Sequence, residues 1–384
     1  HFADRGKNME HYLDNAATTK PCAEAAAAVM SCISSHYGNP SSLHRKGLEA
    51  QHEVEYARNQ VAGALGCKAQ EIVFTSGATE STNLALCGAA AAYGRKRKKI
   101  ITSAVEHASV RETMAHLETL GFTVVSVPPA EDGLYHAEDF LKEVDKDTCM
   151  VSIMLVNNEN GYRMPVEEVF RTVKRRDPDI ITHCDAVQGF LKVSFKPRTL
   201  CADLVSLSGH KVHALKGAGA LYIRQGVRLK PVLYGSRQEK GLRPGTEGVP
   251  VIAAFGAAAE KLVLTMDERY DAVSGLRSSL IEQLKEMDGV IIRDLPSASP
   301  YVLNISLLGY RSEIVLHYLE QREVYISSGS ACSKGASSGV LELFGAKPAE
   351  VDSALRISFC SDNTEEDIAA LVQGLKDAQK DLMH

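Results

Sequence analysis

Short apolar runs bounded by turn residues recur along the first two thirds of the chain, at 71–74, 100–102, 123–127, 150–156, 180–184, 204–207 and 220–223. Between several of them the apolar spacing is helical, as over 109–120 and 166–175. Strand-like and helical stretches in alternation predict crossover connections and a mostly parallel sheet covered by helices on both faces, an α/β core. Ligands of such sheets bind beyond the carboxyl ends of the strands, and the polar clusters of this chain fall at those ends. After Pro250 the pattern changes. Helical spacing runs to about Met287, with a break expected near Arg269 or Ser274, and strand-like pieces follow at 290–293, 302–306, 324–327 and 355–359. The change predicts a large domain over 13–250 and a smaller α+β domain built from 1–12 and 251–384. The alanine-rich stretch at 23–28 predicts a turn of helix.

Composition narrows the function classes. The 384 residues are 45% apolar and 24% charged, as in an ordinary globular protein with a large core. A net charge of -5 argues against a polyanion binder, so no direct nucleic-acid partner is expected. The basic run Arg95-Lys96-Arg97-Lys98-Lys99 precedes an apolar strand, which favours a solvated turn over a docking patch. Nine cysteines without a CxxC pair suit reduced thiols in a cytoplasmic protein better than a disulfide framework or a zinc site, and no metal is expected. No apolar run approaches membrane-spanning length and no signal-peptide pattern opens the chain, so no membrane association is expected.

Five strand ends carry chemistry. Thr75-Ser76-Gly77-Ala78-Thr79-Glu80 closes a strand and opens a helix; its free N–H groups and hydroxyls suit a phosphate, while Ser76 or Thr79 as an ordinary helix cap explains the same residues. Glu106-His107 follows the next strand, with an imidazole that either lies on a ring or caps a helix. Asn157-Asn158-Glu159-Asn160-Gly161 is more polar than a turn requires. Asp185-Ala186-Val187-Gln188 and Ser208-Gly209-His210-Lys211 end the next two strands. A lysine in a small polar turn, with an acid on a neighbouring strand end, is what a pyridoxal phosphate enzyme needs, although a lone lysine after a strand is common. The convergence of the five is specific where each piece is not. Further on, Cys332 sits among small residues in Ser327-Ser328-Gly329-Ser330-Ala331-Cys332-Ser333-Lys334-Gly335, an accessible thiol or an incidental one. Arg356 interrupts an apolar run and calls for a carboxylate partner, from the protein or from a substrate.

Taken together these motifs resemble the pyridoxal phosphate-dependent cysteine desulfurases of the NifS/IscS type, within the class V aminotransferase group. The likeness covers nearly the whole chain, from Tyr12-Leu13-Asp14-Asn15-Ala16-Ala17-Thr18-Thr19 to Arg356, with TSGATE, EH, VNNE, DAVQ, SGHK, KGAGALYIR, RPGTE and SSGSAC in the family's order. It implies the type I fold of pyridoxal phosphate-dependent transferases, with a seven-stranded sheet in the large domain. Lys211 would hold pyridoxal 5'-phosphate, Asp185 would pair with its ring nitrogen, Gln188 with its ring hydroxyl, and His107 would stack on the ring. Ala78, Thr79, Ser208 and His210 would bind the phosphate, joined by Thr246 from the partner subunit of a homodimer. Asn158, beside the cofactor, and Arg356 would bind the carboxylate of L-cysteine. Lys211 and His107 would move protons and Cys332 would take the sulfur as a persulfide, leaving alanine. A protein acceptor docking near the Cys332 loop, such as an iron–sulfur scaffold or a tRNA-thiolation protein, would receive it. A selenocysteine lyase or a related β-lyase is the alternative. The chain departs from the family at His213-Ala214-Leu215, where relatives carry Gly-Pro, at Gly235-Ser236-Arg237, at Gly248 and at Asn160. The local geometry beyond Lys211 is therefore expected to differ.

Overall fold

The structure is a computed structural model that describes residues 9–329 and 339–382. It divides into two compact units. The larger holds Thr19–Asn157 and Met164–Met266, the smaller Asn158–Arg163 together with the described residues up to Thr18 and from Asp267 onward.

The large unit is built on a seven-stranded sheet, in spatial order Ile72–Thr75, Gly219–Ile223, Leu204–Ser208, Ile181–Asp185, Thr148–Met154, Lys99–Ser103 and Thr123–Val127. Only Gly219–Ile223 runs antiparallel to its neighbours. The expected strands are all present, and their burial explains why they read as continuous apolar runs. Every residue of Thr148–Met154 is buried, as a central strand covered on both faces must be. Thr123–Val127, at the sheet edge, buries only Val127 fully. The apolar run at 150–156 overshoots its strand, because Leu155 and Val156 are buried although the strand ends at Met154.

The chain divides at 18/19 and 266/267 rather than at 12/13 and 250/251. Helix Val249–Leu264 explains the shift, since it packs on helices Ala23–Ser34 and Arg45–Leu65 of the large unit. The first of these runs twelve residues, well past the alanine-rich turn expected at 23–28. The break in the long helical stretch falls at Thr265, not near Arg269 or Ser274. Asp267 and Glu268 then lie in the first turn of Met266–Lys285, where carboxylates suit a helix start.

In the small unit an antiparallel sheet orders Ser327–Ser328, Ala354–Ser358, Val302–Leu307 and Val290–Arg293. The single strand expected over 324–327 is two. Val324–Tyr325 pairs in parallel with His11–Tyr12, and Ser327–Ser328 turns to pair with Ala354–Ser358. A core of Leu303, Ile305, Leu355, Ile357, Ile368, Leu371 and Leu375, each at 0% exposure, holds this sheet to its helices. Among the described residues no single helix is long and apolar enough to cross a membrane.

Candidate active site

Strand register assembles the site. Ser208 pairs with Gly219, and Gly219 in turn pairs with Thr75, so the turn carrying Lys211 and the loop Ser76-Gly77 leave the sheet side by side. Gly219 is required there, because a Cβ would lie 2.6 Å from the Gly77 backbone. One strand further, Asp185 pairs with Ser206 and with Met154.

The helix Ala78–Tyr93 starts at Gly77, and no side chain among the described residues caps it. Neither Ser76 nor Thr79 is therefore a cap, and the N–H groups of the first turn remain available to an anion. Ser76 N–H instead donates to Glu80 Oε2 at 2.6 Å. A Cβ on Gly77 would meet nothing within 4 Å, so the space above the loop is open. Beside it, Ser208 Oγ is buried and has no hydrogen-bond partner among the described residues. Thr19 and His213 clamp the lysine turn. Thr19 Oγ1–H donates to His210 O at 3.0 Å, and His213 N–H donates to Thr19 Oγ1 at 2.7 Å. His213 takes φ 56°, a left-handed conformation that suits glycine better, and its Nδ1 lies 3.0 Å from Lys20 O. Burial, with the charges of Lys211, Lys216 and Lys192, holds His210 down at about 4.

Asp185, His107 and Lys211 share one electrostatic environment. Burial raises the Asp185 carboxyl, while His107, the Val187 N–H and Lys211 pull it down. Crowding of the imidazole by protein lowers His107; Asp185 opposes this and Lys211 adds to it. His107 does cap its helix, because Nδ1 accepts from Ser109 N–H at 3.1 Å. An Nδ1 that accepts from a backbone donor carries no proton, so the neutral ring bears its hydrogen on Nε2. Gln188 Oε1 accepts from Lys192 Nζ at 2.9 Å, which turns the amide nitrogen to the other side.

Glu106 was visible in the sequence only as the neighbour of His107. It is 3% exposed, and its Oε1 accepts from Ser103 Oγ at 2.5 Å and Met154 N–H at 2.9 Å, while Oε2 has no partner among the described residues. Burial pushes this carboxyl up to about 8, with Asp185 adding to the push and the Ser103 and Met154 bonds opposing it. Burial thus favours the neutral form of Glu106.

In the small unit Arg356 has found a protein carboxylate. Its Nη2 donates to Asp14 Oδ1 and Ser327 Oγ, each at 3.1 Å, and its Nη1 to Asn158 O at 3.2 Å. Its buried Nε has no partner among the described residues. Asp14, 342 residues away in sequence, carried no signal of this pairing. Asn158 lies in the same unit, half-buried. Thr246 is exposed in the large unit. Cys332 lies outside the described residues. Of the other cysteines, Cys32 and Cys149 are pushed by burial to about 11 and Cys67 to about 12, which makes them inert as nucleophiles. The basic run leads from a turn into the strand Lys99–Ser103, its Arg97 paired with Asp177 at 2.6 Å and its Lys99 with Asp145 at 3.1 Å.

An uncapped helix start, an orphaned hydroxyl, open space over Gly77 and a buried acid one strand from the lysine turn fit pyridoxal phosphate. Comparison with known proteins agrees. The model of the class-V aminotransferases matches residues 11–371. A NifS/IcsS protein homolog of Lactobacillus delbrueckii subsp. bulgaricus is 40% identical over 361 residues, 93% of this chain and 94% of that protein. A cysteine desulfurase of Nostoc sp. is 38% identical over 366 residues, 94% and 91% of the two chains. The solved structure of a NifS-like protein superposes with a TM-score of 0.92 at 37% identity, covering 97% of this chain and all of the other.

Proposed function

The chain belongs to the class-V aminotransferase family, in its NifS/IscS branch, and we propose that it is a cysteine desulfurase that turns L-cysteine into L-alanine and passes the sulfur to an acceptor protein. The observation that carries the chemistry is the strand register that sets Asp185 one strand from the Ser208–Lys211 turn, beside a helix start at Gly77 that no side chain among the described residues caps.

Pyridoxal phosphate, when bound, supplies an aldehyde that captures an amine and a ring that withdraws electrons from the substrate carbon. The remaining roles belong to side chains. Lys211 would hold the cofactor, and its amine would serve as the proton carrier beside the substrate carbon. Asp185, whose carboxyl burial raises while Lys211 draws it down, would pair with the protonated ring nitrogen; Glu106, raised by burial, favours its neutral form beside it. Gln188, its Oε1 engaged by Lys192 Nζ, would offer its amide N–H₂ to the ring hydroxyl. His107 would stack on the ring, with Nε2–H as its remaining donor. Ala78, Thr79, Ser208 and His210 take the phosphate, His210 as a neutral imidazole. Arg356, with Nε–H to spare, and Asn158 take the substrate carboxylate. The Cys332 thiolate attacks the substrate sulfur: an S–S bond forms, the C–S bond breaks, and the carbon fragment gains the proton that completes alanine. Cysteine and one enzyme thiol thus give alanine and one enzyme persulfide.

We place Thr246 in the partner subunit's phosphate site of a homodimer. Leu43 is 95%, Tyr234 87% and Tyr37 69% exposed, apolar area that a second copy would cover. The acceptor is an iron–sulfur scaffold or a tRNA-thiolation protein, and capture on the Cys332 persulfide identifies which. Persulfide delivery needs a thiol-reducing compartment, and we assign the cytoplasm.

Purified protein with pyridoxal phosphate and L-cysteine should give alanine and, with a thiol reductant, sulfide in equal amounts. Cys332→Ala should abolish sulfur transfer; unchanged transfer in that variant would refute the role of Cys332, and activity on selenocysteine without need of Cys332 would favour the lyase.

A further inference from the structure

We propose that the buried Arg58–Glu239 pair is a positioning device for cofactor phosphate binding, fixing the 235–247 loop and its Thr246 against the strand that opens the phosphate cup. The proposal rests on the cofactor reading above and adds residues to which that reading gives no part.

The two side chains are 10% and 2% exposed, and they meet as a two-pronged pair, Nη1 to Oε2 at 2.8 Å and Nη2 to Oε1 at 2.6 Å. Both prongs are rooted in the strand Ile72–Thr75. Glu239 Oε2 also accepts from Phe74 N–H at 2.9 Å, Arg58 Nη1 also donates to Ile72 O at 3.1 Å, and the guanidinium lies 4.9 Å from the Phe74 ring centroid. This is the strand whose end becomes Ser76-Gly77. Where the loop meets the pair its backbone is strained: Glu239 has φ 43° and Lys240 φ 61°, left-handed values that non-glycine residues hold only when their surroundings impose them. A second tether lies downstream, Arg243 Nε to Glu80 Oε1 at 2.9 Å, on the same carboxylate that accepts from Ser76 N–H. Just past the tethers Thr246 borders, with Ser76, Gly217 and Arg243, a cavity of about 160 Å³.

Stability alone does not call for a buried ion pair here, because apolar residues of similar volume generally serve as well. What a planar fork adds is one fixed register. The pair therefore sets where the Thr246 hydroxyl stands, while the contact with the partner subunit's phosphate is left to Thr246 itself.

The test compares pyridoxal phosphate with pyridoxal, which lacks the phosphate, in binding to the full chain followed by absorbance and fluorescence. The Arg58→Met/Glu239→Leu double variant should stay folded by circular dichroism and bind pyridoxal as the parent does. It should bind pyridoxal phosphate about 10-fold or more weakly, the loss of one or two charge-assisted contacts. Thr246→Val should weaken pyridoxal phosphate alike, and combining it with the double variant should add little. If the double variant does not fold, Glu239→Gln, which keeps shape and loses charge, is read in the same way. Equal weakening of both ligands, or unchanged binding of both by a folded variant, overturns the proposal. A parent protein that shows no preference for the phosphorylated ligand would instead overturn the cofactor reading.

Discussion

Two polar sites in this molecule are satisfied to opposite degrees. At the strand ends of the large unit the helix start is uncapped, and Ser208 Oγ and Glu106 Oε2 are buried with no partner among the described residues. In the small unit Arg356 spends two of its three nitrogens on Asp14, Ser327 and Asn158 and holds back only Nε. A buried polar group without a partner costs free energy, so a protein keeps several together only where something else completes them for most of its life. A resident cofactor does so; a substrate that leaves every turnover does not. The large-unit site is thus incomplete without its cofactor, whereas the arginine is nearly complete with protein partners alone.

The sharpest break in this contrast is Lys211→Ala. It removes both the covalent anchor and a proton carrier, so alanine formation should fall by at least about 10³-fold. The cofactor, held then by phosphate and ring contacts alone, should leave on gel filtration. Retention of the absorbance of an anchored cofactor in that variant would show that another amine holds it.

Glu106→Gln is next, read as stability against pH in protein stripped of cofactor. The folded carboxyl is pushed up to about 8 and the unfolded one titrates near the ordinary 4.5, so between these values the folded chain binds the extra proton. Stability contributed by this group therefore falls as pH rises through that window and is level above it, by on the order of 4 kcal/mol. Glutamine has no such titration. Denaturant midpoints at pH 5 and pH 8 should show the variant losing less than the parent, and parallel losses would mean that Glu106 is ionised.

Arg356→Lys tests the other side of the contrast. Lysine keeps the charge but cannot fork, so KM for L-cysteine should rise about 10- to 100-fold, with cofactor affinity unchanged. A loss of cofactor affinity of similar size would mean that the guanidinium serves the resident ligand after all.

What the sequence could reveal divides along similar lines. The strand ends were legible because buried strands are written as apolar runs, and each run stopped in residues whose chemistry is local: Asp185 and Gln188, Ser208 and Lys211. The partners of Arg356 were not legible, since nothing near Asp14 encodes a contact 342 positions away. Neither was the Arg58–Glu239 pair, which joins an ordinary helix position to a loop whose left-handed backbone falls on Glu239 and Lys240 instead of on glycine. The helix break was misplaced because the apolar period continues through Thr265, and the break there is a backbone event. The departure at His213 is plain in the sequence; its left-handed turn and its clamp on residues 19–22 belong to the fold.

The smallest expected effect divides the two sites most cleanly. Ser208→Ala deletes a buried hydroxyl that has no partner among the described residues, so the stripped protein should lose no stability and should gain up to about 1 kcal/mol as an unsatisfied group disappears. The same change should weaken pyridoxal phosphate about 3- to 10-fold, one neutral hydrogen bond, and leave pyridoxal untouched. Opposite signs in the two states are what a group held ready for a ligand requires. A hydroxyl that merely fills space would cost stability with and without the cofactor alike, and thermal melts of both forms distinguish the cases.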